Sequence, residues 1–131
     1  MPNQVPIERF MNNHSLKGRE DAFIILEVKT APVLASWQES LFAHEWLTAE
    51  GKIKAVKEMS DKVRERRETI EAMIETPDHP LERPVLGIGI MDNIEIGSGK
   101  DLFLCLAARG LSSIPVHIPK SHEADFRIFI R

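Results

Sequence analysis

The chain of 131 residues contains one cysteine, Cys105, and no tyrosine. A single cysteine excludes an internal disulfide and a cysteine-rich zinc cluster. Cys105 lies in the apolar run 103–107, where it is expected to be a small buried hydrophobic residue rather than a reactive thiol. This use of cysteine is typical of a reducing compartment, so we expect a cytoplasmic protein.

Long apolar runs and a surplus of one charge sign are also missing. No stretch approaches the roughly 18 apolar residues of a membrane span, and residues 1–20 lack the apolar centre of a secretory signal. The net charge is -3, whereas a nucleic-acid-binding protein usually carries a dense basic patch. We therefore expect neither a membrane nor a nucleic acid as partner.

Catalytic and metal-binding patterns are absent as well. His44 and Glu45 begin the zinc motif H-E-x-x-H, but Thr48 occupies the position of the second histidine. No serine has a nucleophile-elbow context, and no pair of carboxylates stands out. We expect no catalytic residue, no metal and no cofactor, and the sequence favours a protein without enzymatic activity. An enzyme that uses His44 or His117 as its acid–base group stays an open alternative.

Apolar periodicity divides the chain into strands and helices. The predicted strands are 22–28, buried on both faces, then 85–91 and 94–96, 114–118 and 126–131. Asp92 and Asn93 either join 85–91 and 94–96 as a hairpin or lie in one irregular strand with a bulge. Because Pro115 cannot donate a hydrogen bond to a ladder, 114–118 is expected at a sheet edge, with His117 facing solvent or that edge. The predicted helices are 33–47, opened by Pro32, then 48–75 and the apolar 102–108.

This order of elements predicts a single α+β domain over residues 22–131. We expect one small mixed sheet of four to five strands with helices packed mainly on one face. An α/β three-layer arrangement is the alternative, favoured if helix 102–108 crosses between parallel strands. Residues 1–21 are polar and contain Pro2, Pro6 and Gly18, so we expect a loosely ordered N-terminal lead-in.

Gly97, Ser98, Gly99 and Lys100 connect a predicted strand to a predicted helix. The order resembles a phosphate-binding P-loop, but that motif requires a glycine at Ile94 and a hydroxyl at position 101, where Asp101 stands. Ser98 could cap the helix while the glycines turn the chain, and this alone accounts for the spacing. Alternatively, free N–H groups and the Lys100 ammonium could hold a small anion such as a phosphate or carboxylate metabolite.

Arg66 is a further candidate for such an anion site. On a helical wheel it falls within the apolar stripe that runs from Val56 to Ile74. Its side chain either extends along apolar surface to reach water, or points inward and pairs with a carboxylate across an interface or with a bound anion. Arg109, at the other end of the following helix, is a second possible contributor.

Self-association is the function that we favour from the sequence. Residues 33–47 place large apolar groups on two sides of a helix, which are either buried within the domain or shared with a second copy. We therefore hypothesise a small homodimer of otherwise unknown function, formed through 33–47 and the stripe of 56–74. Anion binding and enzymatic activity are the two alternatives.

Overall fold

The structure, a computed structural model, describes residues 5–130 and consists of short strands and three α-helices. The helices are α1 (Thr30–Trp37), α2 (Asp61–Glu75) and α3 (Lys100–Ala108). The strands are β1 (Phe10–Met11), β2 (Phe23–Lys29), β3 (Leu81–Glu82), β4 (Leu86–Ile88), β5 (Ile94–Ile96) and β6 (Ser113–Pro119). The α+β fold class is thus confirmed. Within this part of the chain, no helix has the length and apolarity that a membrane crossing requires.

The strands form three two-stranded ladders rather than one continuous sheet. β2 pairs with β6 and β4 pairs with β5, both antiparallel, whereas β1 pairs with β3 in parallel. A single parallel bridge between Val85 and His117 joins the first two ladders. The resulting order β2, β6, β4, β5 is mixed, as expected, but its centre is held by one bridge.

β2 is the outermost strand of this arrangement, and β6 is bridged on its other side at one residue. The His117 N–H donates to the carbonyl of Pro84 at 2.9 Å, on the side of β6 away from β2. Because bonded and non-bonded pairs alternate in an antiparallel ladder, Pro115 also occupies a non-bonded position opposite Glu27, and its missing N–H costs β2 nothing. The predicted edge position of 114–118 holds in part, since β6 belongs to a two-stranded ladder and has a single bridge, at His117, on its other side. The predicted two-sided burial of 22–28 is wrong, because Ile25 is 50% exposed.

The first two helices are shorter than the sequence pattern predicted. α1 ends at Trp37, and the chain then turns through Ser40 and a short 3-10 helix, Ala43–Glu45. Gly51 adopts a φ of 83°, which no helix interior allows, so the predicted helix 48–75 cannot begin at 48. It begins instead at Asp61, where the Ser60 hydroxyl accepts from the Val63 N–H at 3.3 Å.

Two elements of the C-terminal third are confirmed and one is wrong. β4 and β5 form the predicted hairpin, but β4 ends at Ile88 and the turn spans 89–93 rather than 92–93 alone. α3 is the predicted buried helix. The predicted final strand 126–131 is wrong, because residues Ala124–Phe129 form a 3-10 helix that ends before Ile130. Arg131 lies outside the described residues. Phe126 and Phe129 are both buried, with ring centroids 5.7 Å apart, so burial follows a spacing of three rather than two.

Residues 5–21 pack against the rest of the chain, which differs from the loose lead-in expected for residues 1–21. Phe10 and Leu16 are buried. The Arg9 guanidinium donates to four carbonyls at the end of α2 and in the turn after it, which belong to Met73, Ile74, Thr76 and His79, at 2.8–3.1 Å. Residues 1–4 lie outside the described part of the chain.

Candidate functional site

The glycine turn before α3 is held tightly against the start of β4. The Gly97 N–H donates to the Val85 carbonyl at 2.8 Å, and the Val85 N–H donates to the Ser98 carbonyl at 2.9 Å. Gly99 has a φ of 86°, and a Cβ at this residue would lie 2.8 Å from the Cα of Pro84. Both the left-handed conformation and the lack of space therefore require glycine at position 99.

Ser98 does not cap α3, so the predicted capping role is wrong. The N-cap residue is Gly99, and no side chain accepts a hydrogen bond there. The Ser98 hydroxyl instead donates to Oδ1 of Asn13 at 3.2 Å, which ties the turn to the N-terminal segment. Asp101 does occupy the first turn, where the helix dipole favours its negative charge.

The two cations of the predicted anion site lie against carboxylates of the protein. Lys100 Nζ is 3.6 Å from Oε1 of Glu45, and Arg66 Nη2 is 3.9 Å from the same oxygen. Arg66 Nε also donates to Oδ2 of Asp101 at 3.2 Å. We call these four residues the Glu45 cluster. Its formal charge is zero, so it offers no surplus positive charge to an anion.

The glycine turn and the two cations do not line the same cavity. Ser98 and Gly99 border a cavity of about 290 Å³ together with residues of α2 and β3, and neither Lys100 nor Arg66 lines it. Arg109 lies at the far end of α3, where it contacts Glu71 at 2.6 Å and Glu75 at 3.0 Å. The structure thus brings Arg66 and Lys100 together through Glu45, but it does not direct them into a pocket with Gly97 and Ser98.

The two histidines proposed for acid–base chemistry occupy opposite environments. His44 is exposed, and its Nδ1 lies 3.0 Å from the carbonyl of Leu41. His117 is buried, contrary to the expectation that it faces solvent or a sheet edge, and its Nε2 accepts from the Asn13 N–H at 3.2 Å. Burial, and secondarily the charge of Arg83, lowers the pKa of His117. Across residues 5–130, no three His, Cys, Asp or Glu side chains are grouped to hold a metal ion.

Most apolar groups assigned to a dimer interface are used inside the chain. Val33, Trp37 and Trp46 from 33–47 are fully buried, as is Val63 from the stripe of α2. The guanidinium of Arg67 lies over the Trp46 ring, 5.7 Å from its centroid, and closes that side as well. Those parts of the two predicted surfaces are therefore not free to meet a second copy.

Two apolar side chains of the predicted surface 33–47 are exposed, and two others from the β4–β5 hairpin are exposed as well. Leu41 is 86% exposed and Phe42 60%, in the turn that follows α1. Ile90 is fully exposed and Met91 71% exposed, at the tip of the β4–β5 hairpin. We call these four residues the hairpin patch. The sequence analysis included Leu41 and Phe42 in the predicted interface 33–47, but it placed them on a helix and placed Ile90 and Met91 in a strand, so it did not predict that the two pairs form one patch.

Hydrogen bonds bring the two halves of the hairpin patch to the same side of the molecule. The Ser40 hydroxyl donates to Oε1 of Glu95 at 2.7 Å, and the Ile94 N–H donates to the Ser36 hydroxyl at 2.8 Å. Both bonds fasten β5 to the end of α1 and the turn after it. The Lys100 ammonium lies 5.7 Å from the centroid of the Phe42 ring, so the Glu45 cluster borders the patch.

No family model, curated protein or solved structure matches this chain.

Proposed function

We propose that this protein is a non-enzymatic cytoplasmic protein that self-associates as a homodimer through the hairpin patch. The observation that carries the proposal is the exposure of four large apolar side chains on one side of a small domain. Together they offer several hundred Å², the order of the largest apolar patch on a typical monomer, and such patches mark interaction sites. The occupant that we propose is a second copy of the chain.

The charged border of the patch supports a second copy as partner. A two-fold interface brings the same surface together from both sides, so it must complement itself. The Glu45 cluster has two cations and two anions, and a copy of it can present an opposite charge to each. A border of one sign would repel its own copy. Anion binding at Gly97, Ser98, Gly99, Lys100 and Arg66 has no comparable support and stays a prediction.

Sedimentation equilibrium over a range of concentrations tests the proposal. We expect the wild-type chain to associate at micromolar concentration and Ile90→Asp to shift this association at least about tenfold upward, as for a central interface residue. Ile7→Asp is the matched control, because Ile7 is also an exposed isoleucine (58%) but lies beside a separate groove with Glu27 and Pro115. A wild-type chain that stays monomeric at 100 micromolar, or equal effects of the two substitutions, contradicts the proposal.

A further inference from the structure

The cavity of about 290 Å³ that the glycine turn borders has an apolar floor and an opening to solvent. Its apolar lining comes from Ile70 and Met73, three residues apart on one face of α2, from Leu102 of α3 and from Met11 of β1. Leu102 is buried, and Ile70 and Met73 are partly buried against the core. Met11 is 46% exposed, so the cavity opens to solvent beside this side chain.

The volume of this cavity sets the size of a ligand. Pockets that hold drug-sized molecules have volumes of about 300–1,000 Å³, so this one is at the lower end of that range. An enclosed apolar cavity of about 150 Å³ holds one benzene ring. A cavity of twice that volume, open on one side, therefore accommodates two fused rings but not a nucleotide or a long lipid chain.

Two methionines make the lining suitable for an aromatic ring. Met11 and Met73 both line the cavity, and none of the lining residues in the range 5–130 beyond Phe10 is a phenylalanine or a tryptophan. Methionine side chains adapt their shape to what they contact, and their sulfur atoms make favourable contacts with the edges of aromatic rings. A planar ring in the cavity thus meets thioether partners that the aromatic residues of the chain do not already use there.

The polar side chains around the cavity direct their hydrogens away from it and present acceptors. The Asn13 amide donates to the Arg83 carbonyl at 2.9 Å, and the Ser98 hydroxyl donates to Oδ1 of Asn13 at 3.2 Å, which leaves the hydroxyl lone pairs free. Nδ1 of His79 lies 2.8 Å from the Pro80 carbonyl, which can only accept. Nδ1 therefore bears the hydrogen, and Nε2 of the neutral ring is an acceptor.

Glu82 adds a carboxylate to the lining, near the opening. Its Oε1 accepts from the His14 N–H at 2.6 Å, and its side chain is exposed, so Oε2 is accessible to a second donor. Among residues 5–130, no lysine, arginine or histidine forms an ion pair with Glu82. Because a carboxylate only accepts, and a hydrogen bond to a charged acceptor is stronger than one to a neutral acceptor, Glu82 favours a ligand that brings a donor.

We propose that this cavity binds a small uncharged aromatic compound of two fused rings that carries an N–H or O–H donor. The rings contact Met11, Met73 and Leu102, and the donor faces the acceptors of Glu82 and His79. A ring with a carboxylate would instead bring its negative charge towards Glu82. The site does not rest on the hairpin patch, since within the described part of the chain the lining includes none of the four patch residues.

A titration with indole, followed by NMR of methionine methyl groups labelled with carbon-13, tests the proposal on the unaltered chain. The Met11 and Met73 signals should move and reach half-saturation at about 1 mM or below, in keeping with the affinity per atom of small ligands. Met59, which precedes α2, and Met91, which belongs to the hairpin patch, should not move. Benzofuran, which has the same size but no N–H, should bind at least about fivefold more weakly.

A substitution that fills the cavity from its open side completes the test. Met11→Trp should weaken indole binding at least about tenfold, as read from the Met73 signal, whereas Ile128→Trp adds the same ring at a position that is 62% exposed and should leave binding unchanged. An unmoved Met59 signal shows that each variant is folded.

Four results would overturn the proposal. The first is that about 5 mM indole leaves the Met11 and Met73 signals in place, and the second is that it moves the Met91 signal as much as theirs, which would assign indole to the hairpin patch. The third is that benzofuran or indole-3-acetate binds as tightly as indole, because the acceptors would then not select the ligand. The fourth is that Met11→Trp and Ile128→Trp bind indole equally well. None of these results bears on the association of the chain with a second copy.

Discussion

The buried imidazole of His117 depends on a residue more than a hundred positions earlier in the chain. Asn13 supplies the backbone N–H that Nε2 accepts, and the Asn13 side chain donates to the Arg83 carbonyl at 2.9 Å. A protonated Nε2 could not accept that N–H, and it would place a second positive charge near Arg83. The neutral ring is therefore the form that the fold stabilises.

The free energy of unfolding should fall as the pH drops below about 6.5. Above this ordinary pKa of histidine, His117 is neutral in the folded and in the unfolded chain, so folding neither binds nor releases a proton at this residue. Below it, the unfolded chain takes up a proton that the folded chain refuses, which lowers stability by up to about 1.4 kcal/mol per pH unit until the lowered folded pKa is reached. Urea titrations at several pH values measure this slope.

His117→Gln provides the comparison for this pH effect. Glutamine keeps a polar side chain but cannot be protonated in this range, so the slope between pH 6.5 and 5 should decrease by the share that His117 contributes. An unchanged slope in this variant would assign the pH dependence to other groups.

At the scale of elements, the two glycines of the turn between β5 and α3 differ in how well they tolerate a side chain. Gly99→Ala should destabilise the fold by about 2–4 kcal/mol, because it adds the cost of a left-handed alanine to a close approach at Pro84. Gly97→Ala should change stability by less than about 1 kcal/mol, since Gly97 lacks a positive φ and its nearest contact is 3.5 Å away. Thermal and urea unfolding of the two variants measure the difference, and equal losses would contradict it.

Helix boundaries show where sequence patterns succeed and fail. α3 is predictable because the apolar run 102–108 must be buried on most sides, and residues 102–106 are indeed buried. The long helix predicted over 48–75 fails because opposite charges four residues apart support a helix without starting one, whereas Gly51 and Ser60 carry the local signals for a turn and an N-cap. Taken together, Gly51 and Ser60 predict that the helix begins after Ser60, as it does.

The candidate site was harder to predict than the fold. Lys100 and Arg66 were predicted to share an anion site with the turn, and a carboxylate partner of Arg66 was expected only across an interface, whereas both cations contact Glu45 of the same chain. Their common partner, Glu45, comes from a segment that the sequence placed in a helix. Contacts between distant segments depend on tertiary packing, which local periodicity does not encode.

For the whole molecule, Cys105 reports whether the core opens. The thiol is fully buried between α2 and α3, and burial, followed by the charge of Glu71, raises its pKa to about 12. In the native state, a thiol reagent at pH 8 should therefore label Cys105 at least about a thousand times more slowly than in 6 M urea, in keeping with the stability of ordinary domains.

A displaced cysteine is the control for this labelling. Lys62→Cys in a Cys105→Ala chain places the thiol at an exposed position of α2, so it should react quickly in the native state. Fast native labelling of Cys105 itself would show that the helix pair opens readily, and the packing described for the C-terminal third would not hold in solution.

The guanidinium of Arg9 gives α2 a stabiliser that is translated long before the helix. Synthesis runs from the N-terminus, so this arginine has left the ribosome before the final turn of α2 emerges. The Arg9 guanidinium is then available to donate to the carbonyls of residues 73, 74 and 76 as they emerge. Docking of residues 5–11 is therefore coupled to formation of the last turn of α2.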